Sequence, residues 1–320
     1  LASRILGAVR DAVIAGAFRV ADTDAFFVAW TIPNTLRRVL GEGAVSAAIV
    51  PVFAEVRAQE GHARARRYVA GISGTMLGLL LLVSVLGVVT APLWTTLYAA
   101  GYQKDPLKFA TAVTLTRWVF PYILLVGLAA LCMGILNSVG RFAVAAFAPA
   151  LLNLAVIVAP FLFVPLALSL GMPAVTSLAI ATLVGGVLQL VVHFPALRRQ
   201  DLLPVPTLAL SDPAVKKTLL LMLPLVLGSG IYQLNLVLSR LFASYLPSGS
   251  QSFLYYGQRL VEIPQSMFAL SLASAALPSL ARQKNEGDHE AAKATLRHAL
   301  RMSLFVAIPS SVALVLLAKP

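Results

Sequence analysis

Charge is what this sequence has least of. Only 12% of its 320 residues are charged, about half of the roughly 25% usual in soluble proteins. Acids are the scarcer kind, 13 Asp and Glu against 25 Lys and Arg. Cysteine occurs once, as Cys132, so no intramolecular disulfide or cysteine metal cluster can form. In the apolar run 124–136 that residue reads as a small buried hydrophobe. The four histidines (His62, His193, His289, His298) have no second His or Cys at ligand spacing. A Gly-rich phosphate loop, a serine triad and a metal-ligand set are all missing. Asp22 and Asp24 do not make the paired Asp-rich motifs of a magnesium-dependent prenyl transferase. These gaps argue against an enzyme and against a cofactor.

Apolar residues fill the space that charge leaves. They make up 59% of the chain, and mean hydropathy is +0.85. A soluble globule could not hide that much apolar surface, so the excess needs lipid as its solvent. The composition therefore specifies an all-α polytopic membrane protein. Runs of about 20 apolar residues, the length that crosses a bilayer core, place nine spans near 2–19, 24–53, 69–99, 109–137, 142–165, 174–195, 214–246, 249–281 and 291–318. Internal prolines (Pro33, Pro92, Pro121, Pro224, Pro264) mark expected kinks. The chain opens on Leu1 and closes on Pro320 just after an apolar run, as a fragment at both ends would. Arg10-Asp11 interrupts any signal-peptide core.

Loop charge sets an orientation. The segments 54–68, 138–141, 196–217 and 282–301 hold fourteen Lys and Arg, whereas 19–23, 100–108, 166–173 and 247–250 hold only Arg19, Lys104 and Lys108. The positive-inside rule puts the first set and the N-terminus in the cytoplasm. That asymmetry accounts for the net charge of +12 without nucleic acid, and it suits anionic membrane lipid. The Pro-containing stretch 196–213 reads as a partly amphipathic cytoplasmic linker between an N-terminal six-helix lobe (1–195) and the first three helices of a second lobe (214–320). A weak parallel repeat supports two lobes: 47–55 (AAIVPVFAE) resembles 274–282 (SAALPSLAR).

Seven arginines fall within or close to the spans: Arg4, Arg10, Arg37, Arg38, Arg117, Arg240 and Arg259. Four acids accompany them, Asp11, Asp24, Glu42 and Glu262. A centred Arg or Asp costs about 2.5–3.5 kcal/mol on insertion while a Leu or Val returns roughly 0.3–0.6, so the first two spans must face a polar interior. At 100° per residue Asp24, Thr31, Thr35, Arg38 and Glu42 share one stripe, flanked by Asn34 and Arg37. Arg259 and Glu262 stand one turn apart before Pro264. Internal ion pairs could hold helices together. A surplus of guanidinium inside the membrane instead asks for an anion, and Arg suits phosphate through its bidentate fork. Residues alone thus point to an anionic or pyrophosphate-bearing substrate. Gly74-x-x-x-Gly78 reads as a helix–helix contact, and Tyr255-Tyr256 as core or interface.

Four stretches carry a family resemblance. They are Ser3–Asp11 (SRILGAVRD), Thr23–Phe27 running on through Ile32–Arg38 to Glu42-Gly43-Ala44, Ile135–Asn137 with Arg141-Phe142 and Ala146–Asn153, and Tyr255-Tyr256 through Gln258–Leu260 and Ile263-Pro264 to Leu277-Pro278. In these the chain resembles the MurJ/MviN family, the lipid II flippases of the multidrug/oligosaccharidyl-lipid/polysaccharide exporter superfamily. The resemblance implies fourteen helices in two six-helix lobes plus two more, of which this chain would hold about nine. It implies a bacterial inner-membrane transporter that moves lipid II from the cytoplasmic to the outer leaflet by alternating access, alongside the cell-wall synthesis proteins. It maps the cavity arginines onto Arg4, Arg10, Arg37 and Arg259. Asp24, Asn34, Glu42 and Glu262 become gate or arginine-orienting partners, Asp11 an ion-pair partner, and Pro33 and Pro264 hinges. Some members bind sodium through a carboxylate in the seventh helix. Here that region has Gln233, Asn235 and Ser239 and no acid, which leaves sodium and membrane-potential coupling both open. A cation- or proton-coupled exporter of small organic molecules and a non-transporting membrane scaffold are the alternatives.

Overall fold

The computed structural model describes residues 2–40, 45–264, 272, 276–277, 279–280, 282–283 and 286–317. Every regular element among them is helical. In order they are α1 (Ala2–Ala17), α2 (Val20–Leu40), α3 (Ser46–Val89), α4 (Ala91–Ala99), a 3-10 turn (Ala100–Lys104), α5 (Pro106–Val119), α6 (Tyr122–Ser138), α7 (Phe142–Ser169), α8 (Thr176–Val191), α9 (Phe194–Arg199), α10 (Pro213–Ala243), α11 (Ser250–Pro264) and α12 (His289–Leu317). The chain divides into two compact units, Ala2–Ser252 and the part from Phe253 onward. In the larger unit α7 packs on α8 and on α1, α3 on α6, and α2 on α5.

Local chemistry explains the breaks. Asp105-Pro106 opens α5: the Asp105 carboxylate accepts the Lys108 backbone N–H at 3.1 Å, and Pro106 has no N–H to leave unpaired. Asp212-Pro213 opens α10 in the same way, with Asp212 accepting from the Ala214 N–H at 2.9 Å. Pro121 separates α5 from α6, and Gly171, at φ +70, follows the end of α7.

Among the described residues, five helical stretches are long and apolar enough to cross a membrane: 46–89, 106–138, 142–169, 176–199 and 289–316. The bent pair 213–228 and 233–243, at 48° to each other, makes six. The sequence reading of nine is not reached on length and composition. Among the helices left out are α1, α2 and α11, which carry Arg10, Arg37 and Arg259. Cys132 is buried in α6, as expected of a small hydrophobe.

Two expectations need correction. The charged stretch 54–68 is not a loop: it is helix on both sides of Gly61, whose φ of +80 breaks the run. Charge marks solvent contact there, not irregular backbone. The Gly74–Gly78 spacing does not receive another helix. The linker lies on it: the Thr207 N–H donates to the Ala70 carbonyl at 3.0 Å, Leu208 approaches Gly78, and a Cβ on Gly71 would sit 2.8 Å from that of Ala209. A Cβ on Gly74 would land on the Thr207 backbone. The second copy of the 47–55 repeat lies mostly outside the described residues.

The linker is fixed at both ends. Arg66 donates to Asp201 at 2.9 Å, and Arg64 donates to Asp212, also at 2.9 Å. Burial works to raise the Asp212 pKa. The bond from Arg64, the Ala214 N–H and the Arg64 charge outweigh it and hold the carboxyl below its ordinary value.

Gly74→Val should lower the thermal stability of the purified protein by about 1–3 kcal/mol through the forced shift of Thr207. Gly16→Ala, with open space around the site, should be neutral or slightly stabilising. Melting curves in one detergent check both. For Asp212 the folded pKa lies below the unfolded one, so its contribution is complete above the ordinary carboxylate range and lost as pH falls through the folded value. The stability gap between wild type and Asp212→Asn should be constant above about pH 5 and close below about pH 4.

Candidate functional site

The charges of α1, α2 and α11 sort by helix into three groups, most of them built on a short-range sequence relation with a long-range partner where the fold supplies one. In α1, Arg10 is only 6% exposed. Its guanidinium donates to Asp11 through Nη2 at 2.6 Å and Nε at 2.9 Å, and through Nη1 to the Asn153 side chain of α7 at 3.1 Å. Asp11, its neighbour along the chain, is thus its ion-pair partner in this structure. Asn153, part of the Leu152-Asn153 pair noted in the sequence, is what anchors this arginine to a second helix. The side chain of Arg4 lies outside the described residues.

In α2, Thr31 and Thr35 are buried as the stripe requires. Thr31 returns its hydroxyl to the Phe27 carbonyl at 2.6 Å, two residues ahead of Pro33. The proline has no N–H for the helix at this turn. Asn34 accepts from Arg37 Nε at 3.1 Å, which fits an arginine-orienting residue. Glu42 and the side chain of Arg38 lie outside the described residues.

Asp24, at the other end of α2, is 1% exposed and pairs with a lysine instead of an arginine. Its carboxylate accepts from Lys108 Nζ at 3.1 Å, the Gly249 N–H at 2.6 Å, the Ser252 N–H at 2.9 Å and the Ser252 hydroxyl at 2.8 Å. It therefore acts as the N-cap of α11 from a distant helix, where amide dipoles and an ammonium both favour a negative charge. Lys108 also donates to Ser248 at 3.1 Å and sits over the Tyr102 ring at 4.4 Å. The corner is braced by Arg240, 2% exposed, which donates to the Gln251 carbonyl at 2.8 Å while the Gln251 amide donates back to the Arg240 carbonyl at 2.6 Å. The Gly101 N–H donates to Ser244 at 2.9 Å. Sequence reasoning left Lys108 as an ordinary loop lysine and gave Arg240 no role. The Asp105-Pro106 helix start was a signal for the first, because it fixes Lys108 in the opening turn of α5.

The smaller unit holds the third cluster. Arg259 Nη1 donates to Glu262 at 2.7 Å, Gln258 donates to the other oxygen of Glu262 at 3.2 Å, and the Arg259 guanidinium lies 5.4 Å from the centre of the buried Tyr255 ring. Tyr255 and Tyr256 meet edge to face at 5.6 Å. Pro264 is the last described residue of α11, and most of the residues that follow it, up to 285, lie outside the described ones.

The fold and site are those of a helical membrane protein that holds guanidinium groups inside it with carboxylate and amide partners. The comparisons narrow this. The family model "Lipid II flippase MurJ" matches residues 14–320. Over the whole chain, 39% of residues are identical to the lipid II flippase MurJ of Burkholderia cenocepacia and 37% to the probable lipid II flippase MurJ of Vibrio cholerae, and the match covers 62% of each relative. A solved structure described as lipid II flippase MurJ in an inward closed conformation superposes with a TM-score of 0.79 at 27% identity, over 98% of this chain and 63% of that one. The chain belongs to the lipid II flippase MurJ family, and it spans less than two thirds of the length of these relatives.

Replacing Asp24 by Ala leaves the Lys108 ammonium and the opening amides of α11 without their acceptor. Loss of one partner from such a buried pair costs about 3–5 kcal/mol. Ser252→Ala removes one of the hydroxyl bonds and should cost about 1 kcal/mol. Thermal melts of the purified variants check the order.

Proposed function

We propose that this chain is the N-terminal part of a flippase that carries lipid II from the cytoplasmic to the outer leaflet of the bacterial inner membrane by alternating access. Membership of the MurJ family carries the reading. The arginines give it a physical basis. Arg10, Arg37 and Arg259 each have a short-range acceptor that orients the guanidinium, and three of its acceptors, Asp11, Asn34 and Glu262, lie within three residues in sequence. Such local pairing keeps a cation in place inside a low-dielectric span. A pyrophosphate is the kind of acceptor that a guanidinium prefers, because it offers bidentate, charge-assisted bonds.

In this scheme Arg4, Arg10, Arg37 and Arg259 bind the pyrophosphate and sugar head group, with Asn34, Glu42 and Glu262 as orienting partners. Asp24 is the gate residue: its bonds to Lys108, Gly249 and Ser252 hold the outer end closed while the substrate enters from the cytoplasm. Neutralising the arginines with the head group lets the lobes rock about Pro33 and Pro264, the Asp24 bonds part, and the head group leaves outward. Nine spans, an N-terminal lobe at 1–195, a linker at 196–213 and the opening of a second lobe from 214 fit this cycle, with the N-terminus in the cytoplasm. Membrane potential contributes about 2.3 kcal/mol per charge per 100 mV to any step that moves net charge across.

Complementation tests the proposal. In a bacterium depleted of its own flippase, the full-length gene should restore growth, and well-expressed Arg10→Ala and Arg259→Ala variants should fail. Rescue by all three would make the arginines structural. Failure of a properly inserted parent, with drug efflux intact, would favour an exporter of small organic molecules.

A further inference from the structure

We propose that residues 200–212 form a strap that enters the cytoplasmic leaflet and binds its anionic phospholipids. The strap starts and ends near the cytoplasmic portion of α3, where Asp201 meets Arg66 and Asp212 meets Arg64. Between those pins it follows α3 past the last of its charges. From Tyr68 to Gln103 the chain has no charged residue, yet the strap contacts Ala70, Gly71, Gly74 and Gly78. Gly78 is eleven residues beyond Arg67, roughly 16 Å along the helix. Irregular backbone at that level is costly unless its polar groups are satisfied or absent. Pro204 and Pro206 have no N–H to satisfy, and the Thr207 N–H is bonded to the Ala70 carbonyl, so that cost is lowered at three positions of the strap and the rest of its backbone is placed nearer the headgroups.

Exposed apolar side chains complete the case. Leu203, Val205 and Leu210 are 44%, 74% and 61% exposed, and Leu208, which reaches Gly78, is still 76% exposed; water penalises such surface and acyl chains do not. Exposed Arg198 and Arg199 precede the strap and exposed Lys216 follows it, while both acids of the segment are already engaged by arginines. Apolar side chains between unmatched cations fit the boundary of a negatively charged leaflet, where each cation near the surface adds about 1 kcal/mol. Held this way, the strap ties α3 and the start of α10 to one lipid surface.

The inference rests on the cytoplasmic placement of 196–213 proposed above. The test therefore reports placement separately. In the full-length protein with Cys132→Ala and any cysteine outside residues 1–320 likewise replaced, a cysteine at Ala63 reacts with an impermeant thiol reagent only after cells are opened, if that placement is right. An environment-sensitive fluorophore is then attached at Val205→Cys, and in a second sample at Ala63→Cys, in nanodiscs of phosphatidylglycerol or of phosphatidylcholine. Lipid-tail spin labels should quench the label at 205 at least about threefold more than that at 63 in the anionic discs. Quenching at 205 should fall in the neutral discs, and in the anionic discs with Arg198→Gln, Arg199→Gln and Lys216→Gln combined. Equal access of aqueous iodide to both positions in anionic discs overturns insertion. Lipid-tail quenching that is the same in both lipids overturns the anionic preference. Neither result bears on whether the arginines carry the flippase.

Discussion

Burying a charge in a medium that cannot solvate it is the constraint on which this structure depends. A guanidinium in a span persists only where an acceptor stands within hydrogen-bond reach. The chain meets that demand with few acids, and so it reuses amides and carbonyls: Asn153 for Arg10, Asn34 for Arg37, the Gln251 backbone for Arg240. The same constraint explains why α2, long enough at 21 residues to cross a membrane, falls short of the apolarity that α3 and α6 reach.

What could be read from the sequence was what is local along it. Arg259 and Glu262 are three residues apart, as are Asn34 and Arg37, and Arg10 and Asp11 are adjacent; helical geometry alone brings each pair together. The all-helical class followed from composition for the same reason, since a bilayer leaves few other ways to satisfy a backbone. What could not be read was long-range. Lys108 is 84 residues from Asp24 and Ser252 is 228, and no periodicity in one segment announces a partner in another.

The two corrections in the fold share a cause. A small-xxx-small spacing at Gly74 and Gly78 states that something approaches closely, but not what, and here it is an extended chain containing Pro204 and Pro206. A charged stretch such as 54–68 states that side chains meet water, and a helix can do that as well as a loop. Both signals constrain the environment of a residue more tightly than the conformation of the backbone that carries it.

The cap that Asp24 places on α11 also has a history. Asp24 leaves the ribosome long before either of its partners. At about 5–20 residues per second, Lys108 follows by roughly 4–17 seconds and Ser252 by roughly 11–46 seconds. For the first interval the carboxylate has no fixed cation, and for the second it has the ammonium without the helix end. The order of synthesis thus makes Lys108 the escort of Asp24 during insertion, and the closing of this corner a late step in the making of the protein.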